Sequence, residues 1–188
     1  PIRDATSAFL AQLPAEMRER ALFEVTSDAW RRWSNIHAYV MRHGVVLEGL
    51  DDVQREAGLD IIRASLSDYG FDTARDIMRL NETIREMTGR DEEYGEWPYW
   101  VSIFGEPSAT EPWGWQIDGH HLILNCFVLG GQTVMTPMFM GSEPVHATSG
   151  KYAGTRVFET EEARGLNFMR SLTPEQQATA TVGTDLPG

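Results

Sequence analysis

Two adjacent histidines, His120 and His121, are the residues of this sequence best able to do chemistry. An imidazole changes its charge near neutral pH and binds transition metals through either ring nitrogen. A histidine on a strand is, however, more often a hydrogen-bonded structural residue than a ligand or a catalyst. The elements that position the pair must therefore be established first.

Turn signals on either side of the histidines predict how their strands pair. Asp118-Gly119 and Gly130-Gly131 are dipeptides typical of two-residue β-hairpin loops. The runs between such signals are rich in aromatic and β-branched residues, which favours strands. The predicted strands are residues 100–104, 112–117, 120–129 and 132–140. Together they form a predicted antiparallel β-meander.

The predicted register sorts the side chains onto two faces, since alternate residues of a strand point the same way. With these loops, Ile117 pairs with His120 and Ile123 pairs with Met138. One face is almost wholly apolar and is the predicted core face: Trp113, Trp115, Ile117, His120, Leu122, Leu124, Cys126 and Val128. The other face is mixed: Gln116, His121, Ile123, Asn125, Phe127, Thr136, Met138 and Met140. Neighbouring histidines then point to opposite faces unless a bulge intervenes.

The mixed face is the predicted ligand site, because polar groups that converge inside an apolar rim are typical of ligand pockets. We expect His121 to be the catalytic residue there, with Gln116 and Asn125 binding the substrate. Trp113 and Trp115 are further candidates for substrate binding, although core filling explains them equally well.

The remaining histidines and motifs are less informative. His37, His43 and His146 have no neighbours in the sequence that would orient them. The sequence contains no nucleophile elbow, phosphate loop, dinucleotide fingerprint or zinc-protease helix motif.

Composition limits the class of function. The chain has 28 Asp and Glu against 16 Lys and Arg, a net charge of −12, which repels phosphate backbones and argues against nucleic acid as a partner. No apolar run approaches the roughly 18 residues of a membrane span. The single cysteine, Cys126, rules out an internal disulfide and a thiolate zinc site. We expect a cytoplasmic protein if Pro1 follows the initiator Met, and an exported one if a signal was removed.

Helical periodicity surrounds the predicted sheet. Apolar residues at helical spacing predict helices before Gly89 and again from Glu159 to Ala180. We therefore expect a single α+β domain over residues 1–188, an antiparallel β-meander packed with N-terminal and C-terminal helices. Its predicted parts are a helical portion at 1–90, a sheet at 97–141, and a loop with C-terminal helices at 142–188.

Residues 111–125 read Glu-Pro-Trp-Gly-Trp-Gln-Ile-Asp-Gly-His-His-Leu-Ile-Leu-Asn. This segment resembles the Pro-Trp-Gly-Trp and Gly-His-His-Leu-Ser-Leu-Asn signature of the domain-of-unknown-function 3500 family. Residues 99–107 resemble that family's Tyr-Trp-Val-Ser-Val-Phe-Gly-Asp-Pro stretch, and residues 136–141 also match. The resemblance covers nearly the whole chain. Ile123 stands where the family usually has serine, so one hydroxyl is missing on the His121 face.

The resemblance implies a site around His120 and His121, in a family whose activity is uncharacterised. It also implies a further C-terminal half, with histidine and acidic segments, that this chain lacks. By this resemblance, His120 and His121 are candidate ligands of a transition-metal ion, either zinc, iron or copper. We expect a second polypeptide to supply the missing half; a truncated chain or a minimal relative is the competing explanation.

Two hypotheses of function follow. The first is a metal-dependent enzyme, a hydrolase or an oxidoreductase, whose metal activates water or dioxygen for reaction with a small organic substrate. The second is a non-catalytic module for small-molecule binding or assembly, in which the histidines are structural. Catalysis by the terminal amine of Pro1 is a minor third alternative.

Overall fold

The three-dimensional structure is a computed structural model that describes residues 1–36, 40 and 42–183. Along the chain, helices come mainly before and after the strands, so the predicted α+β class is confirmed. The α-helices are α1 (Ile2–Gln12), α2 (Ala15–Ala21), α3 (Asp52–Ser65), α4 (Asp68–Thr88), α5 (Glu159–Ser171) and α6 (Pro174–Ala180). The strands are β1 (Leu22–Phe23), β2 (Val45–Val46), β3 (Tyr99–Phe104), β4 (Trp113–Gly119), β5 (Leu122–Leu129), β6 (Gln132–Val134) and β7 (Met138–Met140).

Local sequence signals begin and end α3 and α4. Asp51 and Gln54 form a capping box at the start of α3, which satisfies two backbone N–H groups that have no intrahelical partner. At the start of α4, the Ser67 side chain accepts a hydrogen bond from the Gly70 N–H. Gly89 ends α4 in the left-handed conformation, with a φ of 68°, as the sequence predicts.

The sheet is mostly antiparallel. Its strand order is β1-β3-β4-β5-β6, with β2 also pairing β3 and β7 also pairing β5. The predicted meander is confirmed from β3 to β6, whereas β1 runs parallel to β3. The sequence prediction missed β1 and β2, because strands of two residues are too short to show a periodic pattern.

The loop between β4 and β5 is His120–His121, so the predicted loop at Asp118-Gly119 is wrong. Gly119 still belongs to β4 and pairs with Leu122. A Cβ atom at Gly119 would lie 2.2 Å from the Tyr99 ring, so the glycine is needed for close approach rather than for the turn. The consequence is that the two histidines occupy the hairpin loop instead of the sheet.

Moving the loop by two residues changes the predicted pairs but keeps the predicted faces of β4 and β5. Ile117 pairs with Leu124 rather than with His120. Because side chains alternate with a period of two, an even shift returns every strand residue to the same face. Gln116 and Asn125 are direct cross-strand neighbours as a result.

The Gly130–Gly131 loop and the register of β6 are confirmed, but the register of β7 is wrong by one residue. Both glycines have positive φ, and β6 pairs with β5 as predicted. Ile123 then pairs with Phe139 and not with Met138. The pairing is interrupted between β6 and β7, where Pro137 has no N–H to donate. Thus Met138 and Met140 pair with the core-face residues of β5, contrary to the prediction.

The two faces of the sheet are buried in different ways. The core face is apolar, and the same buried core includes Phe9, Ile61, Ile62, Ile77, Met78 and Leu80 from α1, α3 and α4. The other face carries Ser102, Gln116, Asp118 and Asn125, and we call these four residues the covered face. The residue 28–43 segment, of which 28–36, 40, 42 and 43 are described, supplies the groups that contact it. Trp30 of this segment stacks on Phe104 with ring centroids 3.8 Å apart.

The chain divides into two compact units, one from Pro1 to Val157 and one that begins at Phe158. In the second unit, α5 and α6 are joined at Leu172 and Thr173, and Thr173 forms a capping box with Gln176. The predicted helical stretch from Glu159 to Ala180 is confirmed with this break. Organisation as a single domain stays a prediction.

No helix of the described residues is long and apolar enough to cross a membrane.

Candidate functional site

The His120–His121 hairpin loop is the candidate site, and backbone hydrogen bonds hold it on two sides. The His121 N–H donates to the Asn35 carbonyl oxygen at 2.9 Å, and the His121 carbonyl oxygen accepts from the Gly141 N–H at 2.9 Å. His121 has a φ of 58°, in the left-handed region that side chains with a Cβ atom rarely adopt. Asn-Gly or Gly-Gly would satisfy such a loop more readily. Histidine is one of the few other residues enriched at positive φ, but it is less suited to the position than glycine.

His120 is buried and held by side chains from elsewhere in the fold. Its Nδ1 atom lies 2.7 Å from Oδ1 of Asn81, which belongs to α4. The buried Tyr99 hydroxyl donates to the His120 carbonyl oxygen at 3.1 Å. The Tyr94 ring lies 5.1 Å away between centroids. These contacts fix the position and the ring orientation of His120.

The two imidazole rings stack on each other. Their centroids are 3.9 Å apart and their planes are inclined by 22°. The lone pair of an imidazole nitrogen lies in the ring plane, and a metal ion sits about 2.0–2.1 Å from that nitrogen. Nearly parallel rings at this separation do not direct their nitrogens to one such point. The arrangement therefore fits one imidazole ligand for a metal ion and not a chelating pair.

His121 is the more accessible histidine of the pair. Burial lowers the pKa of His121, while the nearby Glu143 carboxylate acts in the opposite direction. The imidazole is therefore mainly neutral at neutral pH and can accept a proton or bind a metal ion. In the part of the chain that the structure describes, no residue forms a hydrogen bond with its ring nitrogens.

Gln116 and Asn125 lie together on the covered face but are enclosed by the protein itself. Gln116 Nε2 donates to Asn125 Oδ1 at 2.6 Å and to the Trp30 carbonyl oxygen at 3.3 Å. Asn125 Nδ2 donates to the Pro137 carbonyl oxygen at 2.9 Å. Gln116 is 0% exposed and Asn125 is 2% exposed. Only Asn125 of the two borders a surface cleft, of about 330 Å³, beside Trp30.

Asp118 and Arg42 form a buried ion pair on the covered face. Their side chains are 3% and 5% exposed, and Arg42 Nη1 donates to Asp118 Oδ1 at 2.5 Å. Burial raises the pKa of Asp118 to about 6, although Arg42 and the Ser34 N–H act in the opposite direction. Arg42 also donates to the carbonyl oxygens of Ser34 and Ile36. The pair thereby anchors the segment whose Asn35 binds the His121 backbone.

Of the other histidines, His43 is hydrogen-bonded through both ring nitrogens. Its Nε2–H donates to the carbonyl oxygens of Ala29 and Arg32, at 3.0 and 2.9 Å, and Nδ1 lies 2.8 Å from Ser102 Oγ. Burial lowers the pKa of His43. His146 lies on an exposed loop, in an isolated bridge with Arg156. The expectation about His37 falls outside the described residues.

Trp113 and Trp115 lie on the core face, away from Gln116 and Asn125. Both are almost fully buried, and Trp113 Nε1 donates to the Ser108 carbonyl oxygen at 2.9 Å. Cys126, opposite Trp115, is also buried, and burial raises the pKa of its thiol to about 11. The structure therefore brings Gln116 to Asn125 and His120 to His121, but it brings neither tryptophan to either pair.

A charged cluster lies next to the support of His120. Glu82 and Glu96 are buried, with side chains 9% and 5% exposed, beside a cavity of about 390 Å³. Burial alone would raise the pKa of Glu96, but hydrogen bonds from Tyr152, Lys151 and Arg75 outweigh burial and lower it. Each carboxylate of the cluster is paired with a cation of the same unit. We therefore assign the cluster a structural role.

Sequence analysis missed Asn81, Tyr94 and Arg42, which support the candidate site. A signal existed for Asn81, because it lies on the apolar stripe of α4, four residues after Ile77 and three after Met78. A polar residue on a buried stripe must find a hydrogen-bond partner, which marks it for attention. The sequence around Tyr94 and Arg42 offers no comparable signal.

These features define an α+β protein with a histidine pair in a hydrogen-bonded β-hairpin loop. The chain belongs to the DUF3500 family: the family model described as "Protein of unknown function (DUF3500)" matches residues 1–187. No curated protein and no solved structure matches the chain.

Proposed function

We propose that the hairpin loop is the chemical centre of a metal-dependent enzyme, a hydrolase or an oxidoreductase, that acts on a small organic substrate. His121 is the catalytic residue in this proposal. One observation carries it: a mainly neutral imidazole is held in a left-handed backbone conformation, stacked on an immobilised partner, and forms no ring hydrogen bond with a described residue. Unfavourable backbone conformations of this kind persist where the surrounding structure enforces them, often at functional sites.

A transition-metal ion, either zinc, iron or copper, is the proposed cofactor. His121 supplies one imidazole ligand, and the Glu143 carboxylate, which acts on the pKa of His121, is the candidate second ligand. His120 supports the ring of His121 and is not a second ligand to the same ion in the stacked arrangement. The described residues contain no group of three His, Cys, Asp or Glu side chains that could hold a metal ion. We propose that a second polypeptide completes the coordination, and that the chain alone binds a metal ion more weakly through His121 and Glu143.

Metal titration tests the proposal directly. Protein prepared without an affinity tag is titrated with Zn²⁺ and with Cu²⁺ in a calorimeter, as the parent chain, as His121→Ala and as His146→Ala. His146 is the matched control, because it is an exposed histidine of the same unit outside the loop. We expect His121→Ala to bind at least about ten-fold more weakly, about 1.4 kcal/mol per decade, and His146→Ala to match the parent. Equal affinities in all three proteins would remove the metal hypothesis.

The second polypeptide has a separate test. Native material is analysed by sedimentation velocity and by mass spectrometry of the sedimenting species. The proposal expects this chain in a complex with another polypeptide and metal bound to the complex. A monomer of this chain with full metal occupancy would contradict it.

A non-catalytic module for small-molecule binding or assembly is the second candidate function. The enclosure of Gln116 and Asn125 favours the assembly role of such a module, because the face predicted to bind substrate is mostly hydrogen-bonded within the protein. If Zn²⁺ and Cu²⁺ bind equally to the parent and to His121→Ala, this candidate becomes the better one.

A further inference from the structure

We propose that Asn81 is a positioning residue that fixes the tautomer of His120, placing the ring proton on Nδ1 and the lone pair on Nε2. The inference concerns the ring that supports His121. It follows from three groups on different parts of the fold: the Asn81 amide in α4, the Gly95 carbonyl group, and the His120 ring in the hairpin loop.

The orientation of the Asn81 amide is determined by its neighbour. Asn81 is 4% exposed, and one end of its amide lies 2.6 Å from the Gly95 carbonyl oxygen. A carbonyl oxygen only accepts hydrogen bonds, so the NH₂ group of Asn81 must face it. The amide cannot be turned over without placing two oxygens against each other inside the protein. Oδ1 of Asn81 therefore faces His120.

The proton on His120 follows from the same reasoning. Asn81 Oδ1 is an acceptor, and it lies 2.7 Å from His120 Nδ1. Nδ1 must carry a hydrogen to donate, whether the ring is neutral or charged. In the neutral ring the lone pair then belongs to Nε2, so any group that contacts Nε2 of the neutral ring is a hydrogen-bond donor or a metal ion. An oxygen acceptor behind a histidine is the arrangement that orients ligand and catalytic imidazoles in other proteins.

The candidate catalytic residue, His121, packs against the ring that Asn81 orients. His120 is fixed at Nδ1 by Asn81 and at its carbonyl oxygen by the Tyr99 hydroxyl. The His121 ring lies against it, with centroids 3.9 Å apart. The tautomer assignment depends on the hydrogen bonds of Asn81 to Gly95 and to His120. It is therefore independent of metal binding at His121.

The test is the tautomer itself, read from two-bond ¹H–¹⁵N correlations of the histidine rings in metal-free protein, with His120→Gln used for assignment. In the parent chain we expect the neutral His120 ring to be protonated at Nδ1. A ring protonated at Nε2, or a mixture of the two tautomers, overturns the proposal without any substitution at Asn81.

Two nearly isosteric variants then separate the acceptor from the rest of the side chain. Asn81→Asp and Asn81→Leu both lose the donor to Gly95, but only Asn81→Asp keeps an acceptor for His120. We expect Asn81→Asp to retain the Nδ1–H tautomer and Asn81→Leu to show both tautomers. Equal retention or equal loss in the two variants shows that the Asn81 oxygen does not fix the ring, and overturns the proposal.

Discussion

The covered face and the hairpin loop lie on the same two strands, and both place polar side chains where little water reaches. On the covered face, Gln116, Asn125 and Ser102 form hydrogen bonds with their neighbours and with the segment above them, while the buried Gln116 Oε1 and Asp118 Oδ2 have no hydrogen-bond partner among the described residues. In the hairpin loop, His120 is bound tightly, whereas the ring of His121 has no hydrogen bond from the described residues. Buried polarity alone therefore does not identify a site. The hairpin loop differs in that its imidazole without a hydrogen bond, His121, is only half-buried, whereas Gln116 and Asp118 are buried.

Removal of Arg42 from the ion pair of the covered face is expected to lower the free energy of unfolding more than the other substitutions considered. Arg42→Met removes the countercharge of Asp118, and a buried charge without its partner typically costs about 3–5 kcal/mol. Burial has already raised the pKa of Asp118 to about 6, against an ordinary value of 3.8. Folding therefore favours its neutral form, and the contribution of this group to stability falls as pH rises from about 4 to 6. Arg42→Met raises this pKa further and extends the fall to higher pH.

The measurement is urea unfolding of the parent and of Arg42→Met at about pH 5.0 and about pH 7.5, roughly one pH unit below and more than one unit above the raised pKa of Asp118. The loss in free energy of unfolding should be clearly larger at the higher pH, because Asp118 of the parent is largely neutral at the lower pH and is ionised, and therefore stabilised by Arg42, at the higher one. The same loss at both values would show that Asp118 does not titrate in this range.

His43→Ala tests a structural histidine of the same unit. Both ring nitrogens of His43 are hydrogen-bonded, so the substitution leaves the carbonyl oxygens of Ala29 and Arg32 without their donor. We expect a loss of about 2–3 kcal/mol in the free energy of unfolding, measured by urea denaturation. The affinity for Zn²⁺ should remain that of the parent. A loss of Zn²⁺ affinity in a folded His43→Ala variant would make His43 part of the metal site. It would contradict the distinction between the covered face and the hairpin loop.

Asn125→Ala tests whether the covered face binds substrate or supports the sheet. The substitution removes the bonds to Gln116 and to the Pro137 carbonyl oxygen, and leaving buried partners unsatisfied costs about 1–3 kcal/mol. Thermal unfolding should show the loss, whereas calorimetric titration with Zn²⁺ should show an unchanged affinity. An unchanged melting temperature would indicate that the enclosure of Asn125 contributes little to the fold.

His121→Gly should have the smallest effect on stability. Glycine adopts positive φ without a steric penalty, which offsets its greater freedom in the unfolded chain. We expect the free energy of unfolding to stay within about 1 kcal/mol of the parent value, by urea denaturation. Zn²⁺ affinity should fall as in His121→Ala. A loss as large as that of His43→Ala would make His121 a structural residue and remove the difference on which the site assignment depends.

The sequence by itself determined the elements whose signals are local. The capping residues and Gly89 set the ends of α3 and α4, and alternation along β4 and β5 assigned their side chains to the correct faces. The adjacent histidines marked residues 120 and 121 as the candidate site, which stays a prediction. Each of these conclusions depends on residues within a few positions of one another, where backbone geometry and side-chain periodicity act directly.

Tertiary structure decided the rest, because it depended on contacts between distant parts of the chain. Tyr99 packs against Gly119, which stays in β4, and the loop lies two residues later at His120–His121. Asn81 lies 39 positions before His120, and its hydrogen bond to the ring has no trace in the sequence near the loop. The segment above the covered face fills what periodicity alone presents as an open pocket. Local patterns specify which way a side chain points, but only the folded chain specifies what it meets there.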